Sequence, residues 1–383
     1  MLSSIRTYLA QNTGPLLLEL SPDDVTPSQI PIHKAFTTIC SYNWKIAPLA
    51  FPTIFVPGAP RKYVPLPLPQ HFPLDQGTYY MNENAYRAPR HRYEPMFQAM
   101  AIMQPDMRMN AIDVVVDRGC LKPLMEVAGK KNRRKPFCIA AQRIRNTLFL
   151  RVAGGGKDLA HGNGSRGHSF EKAFTMAFMG MGSDALSHYR VHEYDFGGLR
   201  MLVRCEVDAF YEHPDYECAP ETAPSPDQYM GLEDVGLKGH ADATRVTIRG
   251  KDVAPHKMAE IKSRVKGGDT VPRDVISQMW LGRTPWLIRG KHKDGKVSEV
   301  TVTNEGGYTF DRYELGQQDV LRRTAGLLTL LREVVGAAPG QKAMLVWPVA
   351  KAECLEVREM ISEPDMIPGE FVERFWLHSY ADD

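Results

Sequence analysis

Between Leu199 and Asp208 the chain keeps two faces apart. In an extended backbone Leu199, Met201, Val203, Cys205 and Val207 point one way, and Arg200, Leu202, Arg204, Glu206 and Asp208 point the other. The wider stretch 189–210 reads as a hairpin turning at Gly197-Gly198, and 136–153 as a second one around Arg145-Asn146. "TRVTIRG", "KMAEIKS" and "KAMLVWPV" are short strands, and 285–302 is a strand pair around Asp294-Gly295. "AIDVVVDRG" is a buried strand leading into an Arg-Gly turn. Helical period appears over 93–109 and again over 167–181, where Phe170, Phe174, Ala177 and Phe178 share a face. The segment 271–282 is a helix with Pro272 at its first position and Gly282 as its stop, and 311–335 is a long helix. Strands and helices mix without regular alternation and without an internal repeat. The expected class is therefore mixed α+β in one α/β domain.

Proline sets the N-terminal part apart. Residues 43–75 are too rich in proline for helix and too apolar for a free linker, so 1–92 is expected to wrap over the core. Residues 93–383 would form the main domain, with an acidic, proline-rich insertion near 211–240.

Composition narrows the class. The 383 residues carry 47 basic and 45 acidic side chains, so any nucleic-acid surface must be a local patch. Six cysteines without a C-x-x-C pair argue against a zinc cluster or disulfide framework and for a reducing compartment. With no apolar run near about 18 residues and a poor secretory signal, a soluble nuclear or cytoplasmic protein is expected, away from membranes. The glycine-rich stretch 153–169 lacks the G-K-[ST] of a phosphate loop, and the histidines lack metal-ligand spacing. The basic run 130–136 is a solvated turn or an RNA-backbone contact, and Trp280 and Trp286 are core residues or, alternatively, base-stacking ones.

The chemistry concentrates in two acidic motifs. Glu206 and Asp208 share one strand face, and Glu260 and Lys262 share another while Ile261 packs behind. Taken singly, each could be a cross-strand ion pair. If the two strands are neighbours, three carboxylates converge beside one ammonium, a cluster that repels itself until a hard divalent cation such as Mg²⁺ or Mn²⁺ resolves the conflict. An ion so held polarises phosphate and activates water, with the lysine orienting or deprotonating that water.

That arrangement resembles the D…(D/E)-x-K core of the restriction-like nuclease superfamily, and more of the chain resembles its DXO-type (Rai-like) decapping exoribonucleases. The likeness runs over about 93–336 in family order: "VVVDRGCLKPLM" with Arg118, "FCIAAQRIRNTLFLR", "GHSFE" with Gly167 and Glu171, "CEVD", "EIK", and "SQMWLGRTPWLIRG" with Gln278. His168, Cys205 and "EIKSR" depart from the usual pattern, and none of them deletes a ligand. The resemblance implies a bilobed single domain with central mixed sheets flanked by helices. It implies metal binding by Glu206, Asp208, Glu260, the Ile261 carbonyl and Glu171, nucleophile positioning by Lys262 with Gln278 nearby, and a phosphate contact by Arg118. The implied reaction is Mg²⁺- or Mn²⁺-dependent hydrolysis at an RNA 5′ end (capped, NAD-capped or triphosphate), with 5′–3′ degradation to follow. Two other readings stand beside it: a non-catalytic partner that stabilises a larger 5′–3′ exoribonuclease, and a structure-selective DNA nuclease sharing the core.

Overall fold

The computed structural model describes residues 2–76, 78–80, 82–88, 90–130, 135–153, 159–161, 165–214, 243–265, 270–349 and 352–376. The expected acidic insertion lies outside the described residues from 215 onward, as do 131–134 of the basic run and 154–158 and 162–164 of the glycine-rich stretch.

Among the described residues two mixed sheets organise the fold. The larger has eleven strands, in spatial order Thr13–Leu20, Leu355–Met360, Lys342–Trp347, Phe137–Ile144, Thr147–Val152, Val114–Asp117, Arg200–Val207, Ala185–Asp195, Thr37–Lys45, Thr53–Gly58 and Arg245–Gly250. The smaller has seven: Thr175–Met176, Arg61–Tyr63, Ala209–Phe210, Met258–Val265, Trp286–Lys293, Lys296–Asn304 and Gln70–His71. The central strands of the large sheet, Thr147–Val152, Val114–Asp117 and Arg200–Val207, run parallel to one another. Central strands of this kind are covered on both faces and read as continuous apolar runs. Val114, Val115 and Val116 accordingly have no exposed surface.

The two covering layers are distinct. Helices Arg118–Ala128, Arg273–Gly282 and Tyr308–Ala337 pack with Met201, Val203, Val114 and Val116 on one side. Helices Glu94–Met103 and Gly369–Phe375 pack with Leu202 and Val115 on the other. In the long helix Leu321, Leu328, Leu331 and Val335 recur at helical spacing and are fully buried. Cutting Leu328 back to Ala would cost about 2–5 kcal/mol. No helix among the described residues is long and apolar enough to cross a membrane.

The hairpins at Arg145-Asn146, Gly197-Gly198 and Asp294-Gly295 form as the pattern predicts. Other elements differ in ways that matter. Arg118 does not sit in a turn but opens a helix directly off its strand. The helix holding Glu171 ends at Ala173, and the chain then enters the small sheet at Thr175–Met176, so Phe178 belongs to another cluster. Gly282 is the last helical residue and Arg283 takes the left-handed stop at φ 53°. That strain is offset by a buried guanidinium that donates to the Trp280 carbonyl at 2.9 Å and lies 4.1 Å from the Tyr194 ring. The proline-rich residues are extended, and they enter both ladders: Thr53–Gly58 is buried in the large sheet, and Arg61–Tyr63 pairs within the small one.

Candidate metal centre

The chain passes from one sheet to the other at Asp208. Strand Arg200–Val207 belongs to the large sheet, and Ala209–Phe210 pairs antiparallel with Met258–Val265 in the small one, Ala209 opposite Ala259. Asp208 lies between the two strands, outside both ladders. The Ile261 backbone N–H is therefore within reach and donates to Asp208 Oδ2 at 2.8 Å. The two acidic motifs meet where the sheets meet.

Glu260 is the buried centre of the group, with 1% of its surface exposed. Its Oε1 accepts from Lys262 Nζ and, at 2.6 Å, from Gln278 Nε2 of the helix Arg273–Gly282. Its Oε2 faces an Arg118 guanidinium nitrogen at 3.7 Å, and both of those atoms are buried without a hydrogen-bond partner. Arg118 can approach because residue 282 is glycine: a Cβ there would stand 2.7 Å from that same nitrogen. Glu206 is hydrogen-bonded by Ser187 of the neighbouring strand.

Glu171 comes from the short helix Gly167–Ala173. The Asp75 carboxylate accepts from the backbone N–H groups of His168 (3.3 Å) and Ser169 (2.8 Å), holding the helix start. Phe170 then packs against the small sheet at Gly290, where a Cβ would meet the ring at 2.3 Å. Glu171 is thereby turned toward the other acids.

The electrostatics follows from this convergence. Burial, followed by the charges of Asp208, Glu206 and Glu260, pushes the Glu171 carboxyl up to about 9, with Arg61 opposing. Burial and then Glu260 push Asp208 up to about 7, against Lys262 and the Ile261 N–H. Burial raises Glu206 as well, with Ser187 and Arg118 opposing. Burial disfavours the charged forms of Lys262 and Arg118, yet Glu260 and the other acids hold both above their ordinary values. Arg118, Glu171, Glu206, Asp208, Glu260, Ile261, Lys262 and Gln278 are thus brought into one neighbourhood.

Among the described residues no three His, Cys, Asp or Glu side chains stand together as a ready ligand set. The donor chemistry nonetheless fits a hard cation. Four carboxyls and a backbone carbonyl are oxygen donors, one buried Glu260 oxygen has no hydrogen-bond partner, and three of the acids are driven toward protonation by burial first and by neighbouring acids second. Three residues near the group carry no signal in the sequence pattern. Ser187 binds Glu206, Arg61 bears on Glu171 from the proline-rich segment, and Glu83 bears on Glu206. Trp280 and Trp286 are both buried.

A family model described as "Domain of unknown function (DUF8563)" matches residues 18–376. The chain belongs to the DUF8563 family. No curated protein sequence matches this DUF8563 chain. Among solved structures it is similar to Rai1 proteins, members of the DXO family. S. pombe Rai1 in complex with 3′-FADP is 14% identical, with a TM-score of 0.55 over 90% of this chain and 99% of that one. Scheffersomyces stipitis Rai1 in complex with (3′-NADP)+ and calcium ion is 12% identical, with a TM-score of 0.56 over 94% of this chain and 98% of that one. Candida albicans Rai1 in complex with pU5-Mn2+ is 9% identical, with a TM-score of 0.52 over 93% and 98%. The DUF8563 chain therefore has the mixed α/β architecture of the Rai1 structures across most of its length.

Proposed function

We propose that this protein is a divalent-metal-dependent hydrolase of RNA 5′ ends, removing incomplete or non-canonical caps and then degrading 5′ to 3′. The observation that carries the reading is the junction at Asp208, where the Glu206–Asp208 pair comes within hydrogen-bond distance of the Glu260–Lys262 strand. Support comes from the Rai1 structures of the same architecture, which hold a dinucleotide, a dinucleotide with calcium, and pU5 with Mn2+.

In this reading Glu206, Asp208, Glu260, Glu171 and the Ile261 carbonyl hold Mg²⁺ or Mn²⁺. Such an ion, when bound, supplies Lewis-acid polarisation of phosphate and a water of lowered pKa. The chain's own groups do the rest. Lys262 Nζ, fixed on Glu260, orients the attacking water and stabilises charge growing on phosphate oxygen. Gln278 holds the Glu260 rotamer through its 2.6 Å hydrogen bond. Arg118, whose buried nitrogen has no hydrogen-bond partner, receives a phosphate oxygen of the substrate. A larger 5′–3′ exoribonuclease is the proposed protein partner, and the nucleus or cytoplasm the proposed location.

The test is a panel of RNAs differing only at the 5′ end (guanosine-capped, NAD-capped, triphosphate, monophosphate) incubated with Mg²⁺ or Mn²⁺, with products resolved by mass. Release of a cap, dinucleotide or pyrophosphate, lost on Asp208→Ala substitution, is the expected result. No release from any RNA, or hydrolysis at the wild-type rate by Asp208→Ala, would overturn the proposal. Parallel incubation with duplex DNA separates the DNA-nuclease reading.

A further inference from the structure

The proline-rich segment makes the same passage between sheets as the strand that carries Glu206. Thr53–Gly58 lies in the large sheet, Ala59 and Pro60 are buried, and Arg61–Tyr63 enters the small sheet. There Arg61 runs parallel beside Ala209, the residue after Asp208. On its other side Arg61–Tyr63 pairs antiparallel with Thr175–Met176, the strand that follows the Glu171 helix, with Tyr63 opposite Thr175.

Paired residues share a face of the sheet. Arg61 and Tyr63 therefore lie with Ala209, Ala259 and Ile261, on the side away from Glu260 and Lys262. From there the guanidinium runs along the sheet to Thr175. Its Nε donates to the Thr175 hydroxyl at 2.7 Å, and an Nη donates to the Thr175 carbonyl at 3.0 Å. The same hydroxyl donates to the Glu171 carbonyl at 2.7 Å. Thr175 is buried, so a partner lost there is not readily replaced by water. One hydroxyl thus joins a guanidinium to the backbone of a proposed metal ligand, and hydrogen bonds in such a chain strengthen one another.

The rest of the segment holds the same helix. The Val64 N–H donates to the Phe174 carbonyl at 2.8 Å, and the Phe72 ring lies 6.0 Å from that of Phe170 and 5.7 Å from that of Phe174. Asp75 secures the helix start. A helix of seven residues is too short to be stable by itself, so its orientation is set from outside.

Building on the metal reading above, we propose that Arg61 is a positioning residue for Glu171: through Thr175 it fixes the end of the Glu171 helix and so aims that carboxylate at the ion. The proline-rich segment is then a working part of the metal centre. Charge and position pull in opposite directions here, which makes the role measurable. On charge alone, removing a cation near the acids should tighten the binding of a dication. Acting by position, Arg61 should leave binding weaker when it is removed.

The experiment measures Mn²⁺ affinity of the full chain at pH 8 from the EPR signal of the free ion. Wild type is compared with Arg61→Met, Thr175→Val and Thr175→Ser, each made also on a Glu171→Gln background. Arg61→Met and Thr175→Val should each bind Mn²⁺ about tenfold more weakly, the loss usual for an outer partner of a ligand. Thr175→Ser keeps the hydroxyl and should bind within about twofold of wild type. Glu171→Gln should itself weaken binding, and on that background Arg61→Met and Thr175→Val should add less than about twofold. Unchanged or tighter binding by either of them in the otherwise wild-type chain would overturn the inference. Equal losses with and without Glu171 would overturn it too, by marking a general effect on the fold, as would Glu171→Gln binding like wild type. Absence of Mn²⁺ binding by wild type would overturn the metal reading itself and the inference with it, whereas wild-type binding with any of the other failures counts against the inference alone.

Discussion

Two ionic clusters sit side by side on one strand and have opposite characters. Arg204 and Glu206 share a face of Arg200–Val207. Arg204 is buried and fully engaged: its Nε donates to Asp117 at 2.7 Å, another nitrogen donates to the Arg92 carbonyl at 2.8 Å, and the guanidinium lies 4.4 Å from the Tyr93 ring. One positive charge meets one negative charge, and Asp117 keeps Arg204 ionised despite its burial. One residue pair further on, four acids share two internal cations, and burial pushes Glu171, Glu206 and Asp208 toward protonation. The first cluster holds two layers of the protein together. In the proposed reading the second cluster is the one that a divalent cation completes.

Breaking each cluster should therefore have different consequences. The largest expected effect is on turnover: Glu260→Gln or Asp208→Asn should lower hydrolysis of a 5′-modified RNA by roughly 10³-fold, measured under single-turnover conditions. Asp208→Asn should not lower the urea midpoint of the metal-free protein, because it relieves repulsion, whereas Glu260→Gln should lower it, because it takes from buried Lys262 and Arg118 their main counter-charge. Arg204→Met should do the reverse of Asp208→Asn. It strands the Asp117 charge in the interior and should cost about 3–5 kcal/mol in urea unfolding.

Replacing Gly290 with Ala is expected to come next, at about 1–3 kcal/mol. A methyl group 2.3 Å from the Phe170 ring must push that ring, and the Glu171 helix with it, off the sheet. Weaker Mn²⁺ binding should accompany the loss, and a smaller side chain at 170 (Phe170→Leu) should recover part of it. Ser187→Ala should be mildest, removing one hydrogen bond to Glu206 for about 1 kcal/mol and raising the pH at which metal binds.

The same contrast predicts a pH dependence. A carboxyl whose pKa is raised by folding favours the folded state while protonated and loses that contribution as pH rises through the raised value. Asp208, at about 7, and Glu171, at about 9, should make the metal-free protein progressively less stable on going from mildly acidic to alkaline solution. Divalent ions bind the deprotonated acids, so the rise in Tm on adding Mn²⁺ should be larger at pH 9 than at pH 6. A rise independent of pH would place the ion elsewhere.

Much of this was legible before the fold. The Glu206/Asp208 and Glu260/Lys262 spacings follow from period-two alternation, and the helix with Gln278 follows from its proline and glycine boundaries. The change of sheet at Asp208 was not legible, because "CEVDAF" continues the strand pattern without a break and only the pairing of Ala209 with Ala259 reveals the switch. Arg118 was expected in a turn because Arg-Gly ordinarily ends a strand, whereas Gly119 here is the second residue of a helix. The buried strand Thr53–Gly58 was masked by Pro52 and Pro57, and "LEVREM" at 355–360 was too short to stand out. Ser187 and Arg61 gave no local sign at all. Their roles arise from neighbours far away in the chain, which a single sequence does not pair.

The most direct measurement is calorimetric titration of Mn²⁺ at pH 7 into wild type, Asp208→Asn and Glu260→Gln, repeated in two buffers of different ionisation enthalpy. Binding to wild type with net proton release, lost in both variants, is the predicted result. Equal Mn²⁺ affinity in all three proteins, or no binding to wild type, would contradict it.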